Sequence, residues 1–162
     1  MKRSYAAGAL LIAAACSLSA AQAEMTTEAA ASAVAPFYKA LNAEFAAQSP
    51  DLIRDATAPG WISCRSNDLC VGRDAVIAGI SARLKSVPDL RWEIKDIVVS
   101  GNQVVVRGEA TGTPYGDFLG APHTGKAFKI MSIDIHTIES GKIVRSYHVE
   151  DWLGAVAQLA AK

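Results

Sequence analysis

Two neighbouring stretches near the C-terminal end combine ionisable side chains with a strand-like pattern. Asp134 and His136 lie in the first stretch, residues 126–138, and His148 lies in the second, residues 143–152. Both stretches alternate between apolar and polar residues at period 2, which is typical of strands with one buried face. The Ser-Gly dipeptide between them is typical of a tight turn, so the sequence predicts an antiparallel hairpin.

The register of this hairpin predicts which ionisable side chains meet. If Ile138 faces Val144 across the turn, Asp134 faces His148 on the neighbouring strand. An imidazole beside a carboxylate on a buried face can move protons near neutral pH. We therefore predict Asp134 and His148 as catalytic residues, with His148 as the base and Asp134 orienting it. The competing interpretation is a structural ion pair, because burying an unpaired carboxylate is costly.

His136 lies two residues after Asp134 and therefore on the same strand face. Asp134, His136 and His148 on the neighbouring strand would supply two histidines and one carboxylate, a known metal-binding combination. Such triplets on one strand face also arise by chance, and we predict no metal and no cofactor. We expect His136 to line a pocket instead.

Helical patterns come before the strands. We expect helices over 27–47, from Ser49 towards Pro59, and over 72–86, each from apolar residues at helical spacing. Strands are then predicted at 61–64, 90–100, 103–113 and in the C-terminal hairpin, with a last helix over 152–160. Helices followed by antiparallel strands predict an α+β domain with helices packed on one face of a curved sheet.

Cys64 and Cys70 flank a short polar segment. In an oxidising compartment such a pair is predicted to form a disulfide. A redox-active dithiol would normally have the Cys-x-x-Cys spacing, which this pair lacks.

The first 23 residues have the pattern of a signal peptide. Lys2 and Arg3 precede a short apolar segment, and Ala21-Gln-Ala23 matches a small-x-small cleavage pattern. We predict cleavage after Ala23 and an exported protein, periplasmic or secreted, that covers residues 24–162 and is not held in the membrane. Lipidation at Cys16 is the alternative, but the residues before it lack the expected large aliphatic residue.

The charge balance argues against nucleic acid as a partner. The whole chain has 16 basic and 16 acidic residues, and loss of Lys2 and Arg3 with the signal leaves 14 basic ones. A net charge of about −2 provides no basic surface for a phosphate backbone.

The motifs resemble those of the SnoaL-like polyketide cyclase, or ester cyclase, branch of the nuclear transport factor 2-like superfamily. The segment Phe118-Leu-Gly-Ala-Pro-His-Thr-Gly-Lys126 is similar to the family's Leu-Gly-x-Pro-Pro-Thr-Gly-Lys loop. Ser132 to Ile143 and Asp151-Trp152 resemble its final hairpin. The similarity extends over residues 30–160, and the last 45 or so of these residues contain the motifs that are specific to the family.

This resemblance implies a conical half-barrel with a deep apolar pocket and cofactor-free aldol closure of a polyketide ester. His148 takes the place of the family's last-strand carboxylate and Asp134 that of its histidine, so the two chemical types are exchanged. The implied partner is a small hydrophobic carbonyl compound, and a homodimer through the outer sheet face is a further expectation. The alternative function is a non-catalytic binding module for a hydrophobic ligand. The pocket residues expected are Tyr38, Trp61, Ser63, Tyr115, Phe118 and His136.

Overall fold

The computed structural model describes residues 25–161, so the predicted signal peptide lies outside the described residues. Four helices and six strands form one α+β domain, which confirms the predicted fold class. The helices are α1 (Thr27–Ala40), α2 (Ser49–Ala56), α3 (Arg73–Ser86) and α4 (Trp152–Ala160). The strands are β1 (Thr57–Cys64), β2 (Cys70–Gly72), β3 (Arg91–Ser100), β4 (Gln103–Gly112), β5 (Phe128–Glu139) and β6 (Lys142–Glu150).

The six strands form one sheet in the order β2-β1-β6-β5-β4-β3. Neighbouring strands are antiparallel except for β1 and β6, which are parallel. Helices α1, α2 and α3 supply apolar side chains that pack against the sheet in one core. Alternate residues of β5 from Phe128 to Ile138 are buried, as the period-2 pattern predicts.

The first helix is shorter than the pattern 27–47 predicts. It begins at the N-cap Thr26, whose hydroxyl accepts a hydrogen bond from the Ala29 amide, and it ends at Ala40. A single 3-10 turn, Ala43–Phe45, follows after an extended Asn42. The Asn42 side chain explains the break, because its amide donates to the Tyr38 carbonyl and its oxygen accepts from the Trp92 amide of β3.

The second region of difference lies around β1. This strand starts at Thr57 rather than Trp61, and Pro59-Gly60 falls at a register irregularity inside the strand. The three-residue strand β2 was not predicted, since all of its residues are exposed and show no alternation. Cys64 pairs with Cys70 across β1 and β2, and the predicted disulfide joins them.

The hairpin of β5 and β6 turns at Ser140 and Gly141, both with positive φ. Asp134 pairs with His148 in the register, as the sequence predicts. Near the turn the expected register is wrong by one residue, because Ile138 pairs with Ile143. An irregularity between Thr137 and Ile138 absorbs this shift, so the expected pairing is restored beyond it.

Among the described residues, no helix has both the length and the apolar character required to cross a membrane.

Candidate active site

A cavity of about 730 Å³ lies between the sheet and α3. This volume falls within the range of small-molecule sites. Its walls are largely apolar, and three of its polar side chains, Ser146, His148 and Glu150, project to the same side of β6. The apolar wall includes Phe37, Leu41, Val76, Ile80, Leu90 and Trp92.

Asp134 lies in this cavity wall with only 6% of its surface exposed. Its Oδ2 atom accepts a hydrogen bond from the Tyr38 hydroxyl at 2.9 Å and a longer one from Ser132 Oγ at 3.5 Å. Burial raises the pKa of Asp134 to about 7, although the Tyr38 hydrogen bond and the charge of His148 oppose the shift. The carboxyl group can therefore gain and lose a proton near neutral pH.

A directed chain of hydrogen bonds leads to Asp134 from behind the cavity. Tyr38 uses its only hydroxyl proton on Asp134, so His136 Nε2, 3.1 Å away, must donate to the Tyr38 oxygen. His136 Nδ1 then accepts from Ser146 Oγ at 2.7 Å, and Ser146 Oγ accepts from Trp61 Nε1 at 2.9 Å. Every member is satisfied, and the geometry fixes one neutral tautomer of His136.

Burial supports the same protonation state. His136 is fully buried, and desolvation lowers its pKa to about 3. The Tyr38 pKa is raised well above its ordinary value, first by burial and then by the charge of Asp134. Both side chains stay neutral in the physiological range and act as fixed dipoles.

His148 has a different partner from the one expected. Its Nδ1 atom lies 2.8 Å from Glu150 Oε1, and the other Glu150 oxygen accepts from Trp152 Nε1 at 3.2 Å. The hydrogen bond to Glu150 is the main cause that raises the pKa of His148, and the charges of Glu150 and Asp134 add to it. Glu150, rather than Asp134, orients the imidazole.

Asp134, His148 and Glu150 form one cluster. Each offers a ligand atom, and these atoms lie within 4.8 Å of one another. Within residues 25–161 this is the set that could hold a metal ion, and it differs from the triplet considered from sequence. His136 is not available as a ligand, because both of its ring nitrogens are engaged by Tyr38 and Ser146.

The predicted pocket residues fall into three groups. Ser63 lines the cavity, as expected. Tyr38, Trp61 and His136 lie behind the wall, where their polar atoms are used in the hydrogen-bond chain rather than offered to a ligand. The third group consists of Tyr115 and Phe118 in the loop before β5, and neither of them lines the cavity.

Phe118 and Tyr115 have separate positions in the loop before β5. Phe118 is buried and stacks on Phe128, with ring centroids 5.7 Å apart, so it supports the cavity from outside. Tyr115 is 71% exposed and is not part of the cavity wall, because the loop keeps its side chain on the surface.

Sequence reasoning missed Glu150, Ser146 and Arg83. The first two were detectable, because they lie two residues on either side of His148 and a strand places them on its face. Arg83 gave no such signal, since it is one of several charged residues on an amphipathic helix.

An open sheet covered by helices, with a buried acid/base cluster in an apolar cavity, defines a class of small-molecule-binding α+β domains. The sequence matches the family of SnoaL-like polyketide cyclases over residues 34–159. The chain belongs to this family. A comparison with curated proteins finds no match.

Solved structures share the fold. TsrD from Streptomyces laurentii superposes with a TM-score of 0.72 at 27% identity, covering 86% of this chain and all 100% of that one. A SnoaL-like protein from Jannaschia sp. CCS1 superposes with a TM-score of 0.71 at 23% identity. The match covers 87% of this chain and 97% of that one. A SnoaL-like polyketide cyclase from Agrobacterium tumefaciens superposes with a TM-score of 0.64 at 20% identity. The match covers 78% of this chain and 94% of that one.

Proposed function

We propose that this protein is a cofactor-independent acid/base enzyme that cyclises or isomerises a small carbonyl compound through an enolate. The observation that carries the proposal is the pairing of Asp134 with His148 in the wall of an apolar cavity. The pKa of Asp134 is raised to about 7 and that of His148 is raised from its ordinary value, which suits proton transfer at neutral pH.

The pKa shifts support one assignment of the two roles. The Asp134 carboxylate takes the proton alpha to the carbonyl, and the electron pair of that C–H bond forms the enolate. The His148 imidazolium, favoured by Glu150, donates a proton to the oxygen that becomes negative. In an aldol closure, the enolate carbon bonds to the acceptor carbonyl carbon and that carbonyl oxygen receives the proton. These roles are exchanged relative to the sequence-based expectation, because Glu150 favours the protonated histidine.

Ser63 and the hydrogen-bond chain support this chemistry. Ser63 lines the cavity and can donate to a substrate carbonyl oxygen. Tyr38 holds one Asp134 oxygen and leaves the other for the substrate proton. The base is therefore positioned before a substrate enters, which lowers the cost of reaching the reactive geometry.

A binding module without catalysis is the second candidate. The observation in its favour is that His148 and Glu150 already form an ion pair at 2.8 Å, which can be structural. In that case the cavity holds a hydrophobic ligand and releases it unchanged.

One experiment separates these candidates. The wild-type protein and the Asp134→Asn variant are incubated with a small-molecule extract of the producing organism and followed by mass spectrometry. Asp68→Asn is the matched control, because Asp68 is an exposed carboxylate at the rim of the same cavity. Consumption of a compound by the wild type and Asp68→Asn, but not by Asp134→Asn, supports the enzyme. A compound retained unchanged by all three proteins contradicts it and supports the binding module.

Export of the protein is part of the proposal. The Cys64–Cys70 disulfide supports it, because disulfides persist in oxidising compartments. Mass spectrometry of protein recovered outside the cytoplasm is expected to give an N-terminus at Glu24. A lipid-modified N-terminus at Cys16, abolished by Cys16→Ser, would establish the alternative instead.

We also propose a homodimer through the outer face of β5 and β6. Apolar side chains are exposed there, including Met131 at 54% and Tyr147 at 41%. Light scattering is expected to give twice the chain mass for the wild type and a monomer for Met131→Glu. A monomeric wild type at high micromolar concentration would contradict this.

A further inference from the structure

We infer that the substrate of this cavity carries a carboxylate group, and that Arg83 on α3 binds it. This inference rests on the proposed function for the carbonyl chemistry, but it concerns Arg83 and not Asp134, which lines the same cavity. It identifies the substrate class as an apolar oxo acid rather than a neutral ester or ketone.

The first observation is the state of the Arg83 side chain. It is half-buried and lines the cavity. Its Nη1 atom is buried and has no hydrogen-bond acceptor among the residues that the structure describes. No carboxylate of the described chain lies within 4.0 Å of its guanidinium nitrogens as an ion-pair partner. A buried donor atom without an acceptor is costly, so its presence in a ligand cavity requires an explanation.

The second observation is the way the guanidinium is held. Its carbon lies 4.2 Å from the Trp152 ring centroid and 5.1 Å from that of Phe118. Aromatic stacking uses the faces of a guanidinium and leaves its N–H groups to donate in the plane. The two rings are in turn fixed by Phe128, which contacts both of them. The arginine is therefore positioned in advance for a planar acceptor.

The third observation concerns competition within the protein. The charge of Glu150 acts on Arg83, but Glu150 makes no ion pair with it within 4.0 Å, and its two oxygens bind His148 and Trp152. Among the described residues the guanidinium therefore has no carboxylate partner, and an acceptor that enters the cavity can take that place. A carboxylate matches the planar donor geometry of arginine with two parallel hydrogen bonds.

A pair of matched probes tests the inference. The probes are 2-naphthoate and 2-naphthamide, which have the same shape and differ in the charge of the polar group. Their dissociation constants for the purified protein are measured by calorimetry at pH 8. The wild type is expected to bind the carboxylate about tenfold or more tightly than the amide, as a charge-assisted pair in a partly buried site provides.

Variants of Arg83 locate this preference. Arg83→Gln is expected to bring the ratio of the two constants close to one, while the amide affinity changes little. Arg83→Lys keeps the charge but loses the planar donor pair, so it should retain only part of the ratio. Lys85→Gln is the matched control, because it removes one charge from the exposed side of the same helix and should leave the ratio unchanged.

Three outcomes would overturn the inference. They are equal binding of the two probes, no binding of 2-naphthoate at millimolar concentration, and a ratio that survives in both Arg83 variants. Loss of the ratio in Arg65→Gln but not in Arg83→Gln would assign the carboxylate to the other arginine of the cavity. Because the ratio is measured by binding and not by turnover, failure of the acid/base proposal and failure of this inference are distinguishable.

Discussion

The hydroxyl of Tyr38 on α1 donates a hydrogen bond to Asp134 Oδ2 on β5 at 2.9 Å, across 96 residues of sequence. This contact joins the helical layer to the site and ends the hydrogen-bond chain that begins at Trp61. Since Tyr38 remains neutral, its dipole stabilises the ionised carboxylate without adding a charge. Burial raises the Asp134 pKa, and this hydrogen bond is the largest effect that lowers it.

Removal of this hydroxyl should therefore raise the Asp134 pKa further. In Tyr38→Phe we expect the carboxyl group to titrate above the value of about 7, because the favourable hydrogen bond to its charged form is lost. The variant also leaves the His136 Nε2 proton without its acceptor, at a cost of about 1–3 kcal/mol in stability. Carboxyl ¹³C shifts followed against pH report the pKa. Tyr115→Phe, at an exposed position, should change neither quantity.

Asp134 and His136 should oppose each other in the pH dependence of stability. The folded pKa of Asp134 is raised to about 7, so its contribution to stability is lost as the pH rises from about 4 towards 7. The folded pKa of His136 is lowered to about 3, so its contribution is lost as the pH falls from about 6.5. Between about pH 4 and 6.5 the two slopes cancel in the wild type.

Asp134→Asn removes one of these two slopes. The free energy of unfolding should then rise with pH by up to about 1.4 kcal/mol per unit between pH 4.5 and 6.5, because the His136 slope is no longer opposed by that of Asp134. Urea denaturation at several pH values measures it. If the free energy of unfolding varied with pH in the same way in the variant and the wild type, the pKa shifts of Asp134 and His136 would be contradicted. Asp55→Asn removes an exposed carboxylate and should reproduce the wild-type dependence.

Glu150 should control the protonation of His148. In Glu150→Gln the main cause of the raised His148 pKa is removed, so the pKa should move down towards about 6.5. Imidazole proton shifts followed against pH measure this change, and the alkaline limb of activity should move to lower pH with it. Glu139→Gln removes an exposed carboxylate from the same hairpin and should leave the titration unchanged. An unaltered His148 titration in Glu150→Gln would show that Glu150 does not set its charge.

Gly108 permits the close approach of two polar side chains beside Asp134. A Cβ atom at this position would lie 2.6 Å from Ser132 Oγ and 2.8 Å from Trp92 Nε1, whose hydrogen bond is 3.2 Å long. Gly108→Ala should therefore displace both side chains, reduce stability by about 1–3 kcal/mol and alter tryptophan fluorescence. Gly60→Ala is the control, since nothing lies within 4 Å of its added Cβ. Equal stability of the two variants would contradict this packing.

The sequence predicted the elements that have strong periodicity. The helix expected over 72–86 is α3, Arg73–Ser86, and the long strands end within about two residues of their expected bounds. The strand β2 could not be predicted, because its three residues are exposed and owe their pairing to a disulfide and a neighbouring strand. Alternation of apolar and polar residues in a sequence indicates which residues are buried, and this strand buries none of its residues.

The same distinction applies to the site. Asp134 and His148 could be paired in advance because a tight hairpin sets their register, and the irregularity near Ile138 stays local. Helical spacing showed that Tyr38 faces the core, but not which strand it meets 96 residues later. The position of Tyr115 was equally inaccessible, since a loop rich in Pro and Gly has no periodicity that orients its side chains.

The position of β6 in the sheet has a consequence for how the protein folds. In the strand order, β1 and β2 join the other strands only through β6, and β1 pairs with β6 in parallel, Cys64 opposite Tyr147. The wall that contains Ser63 can therefore reach its place in the sheet only after the last strand has been synthesised. Contacts of such large sequence separation slow folding. A chain that ends at Gly141 would leave β1 and β5 with unpaired edges, which are prone to aggregation.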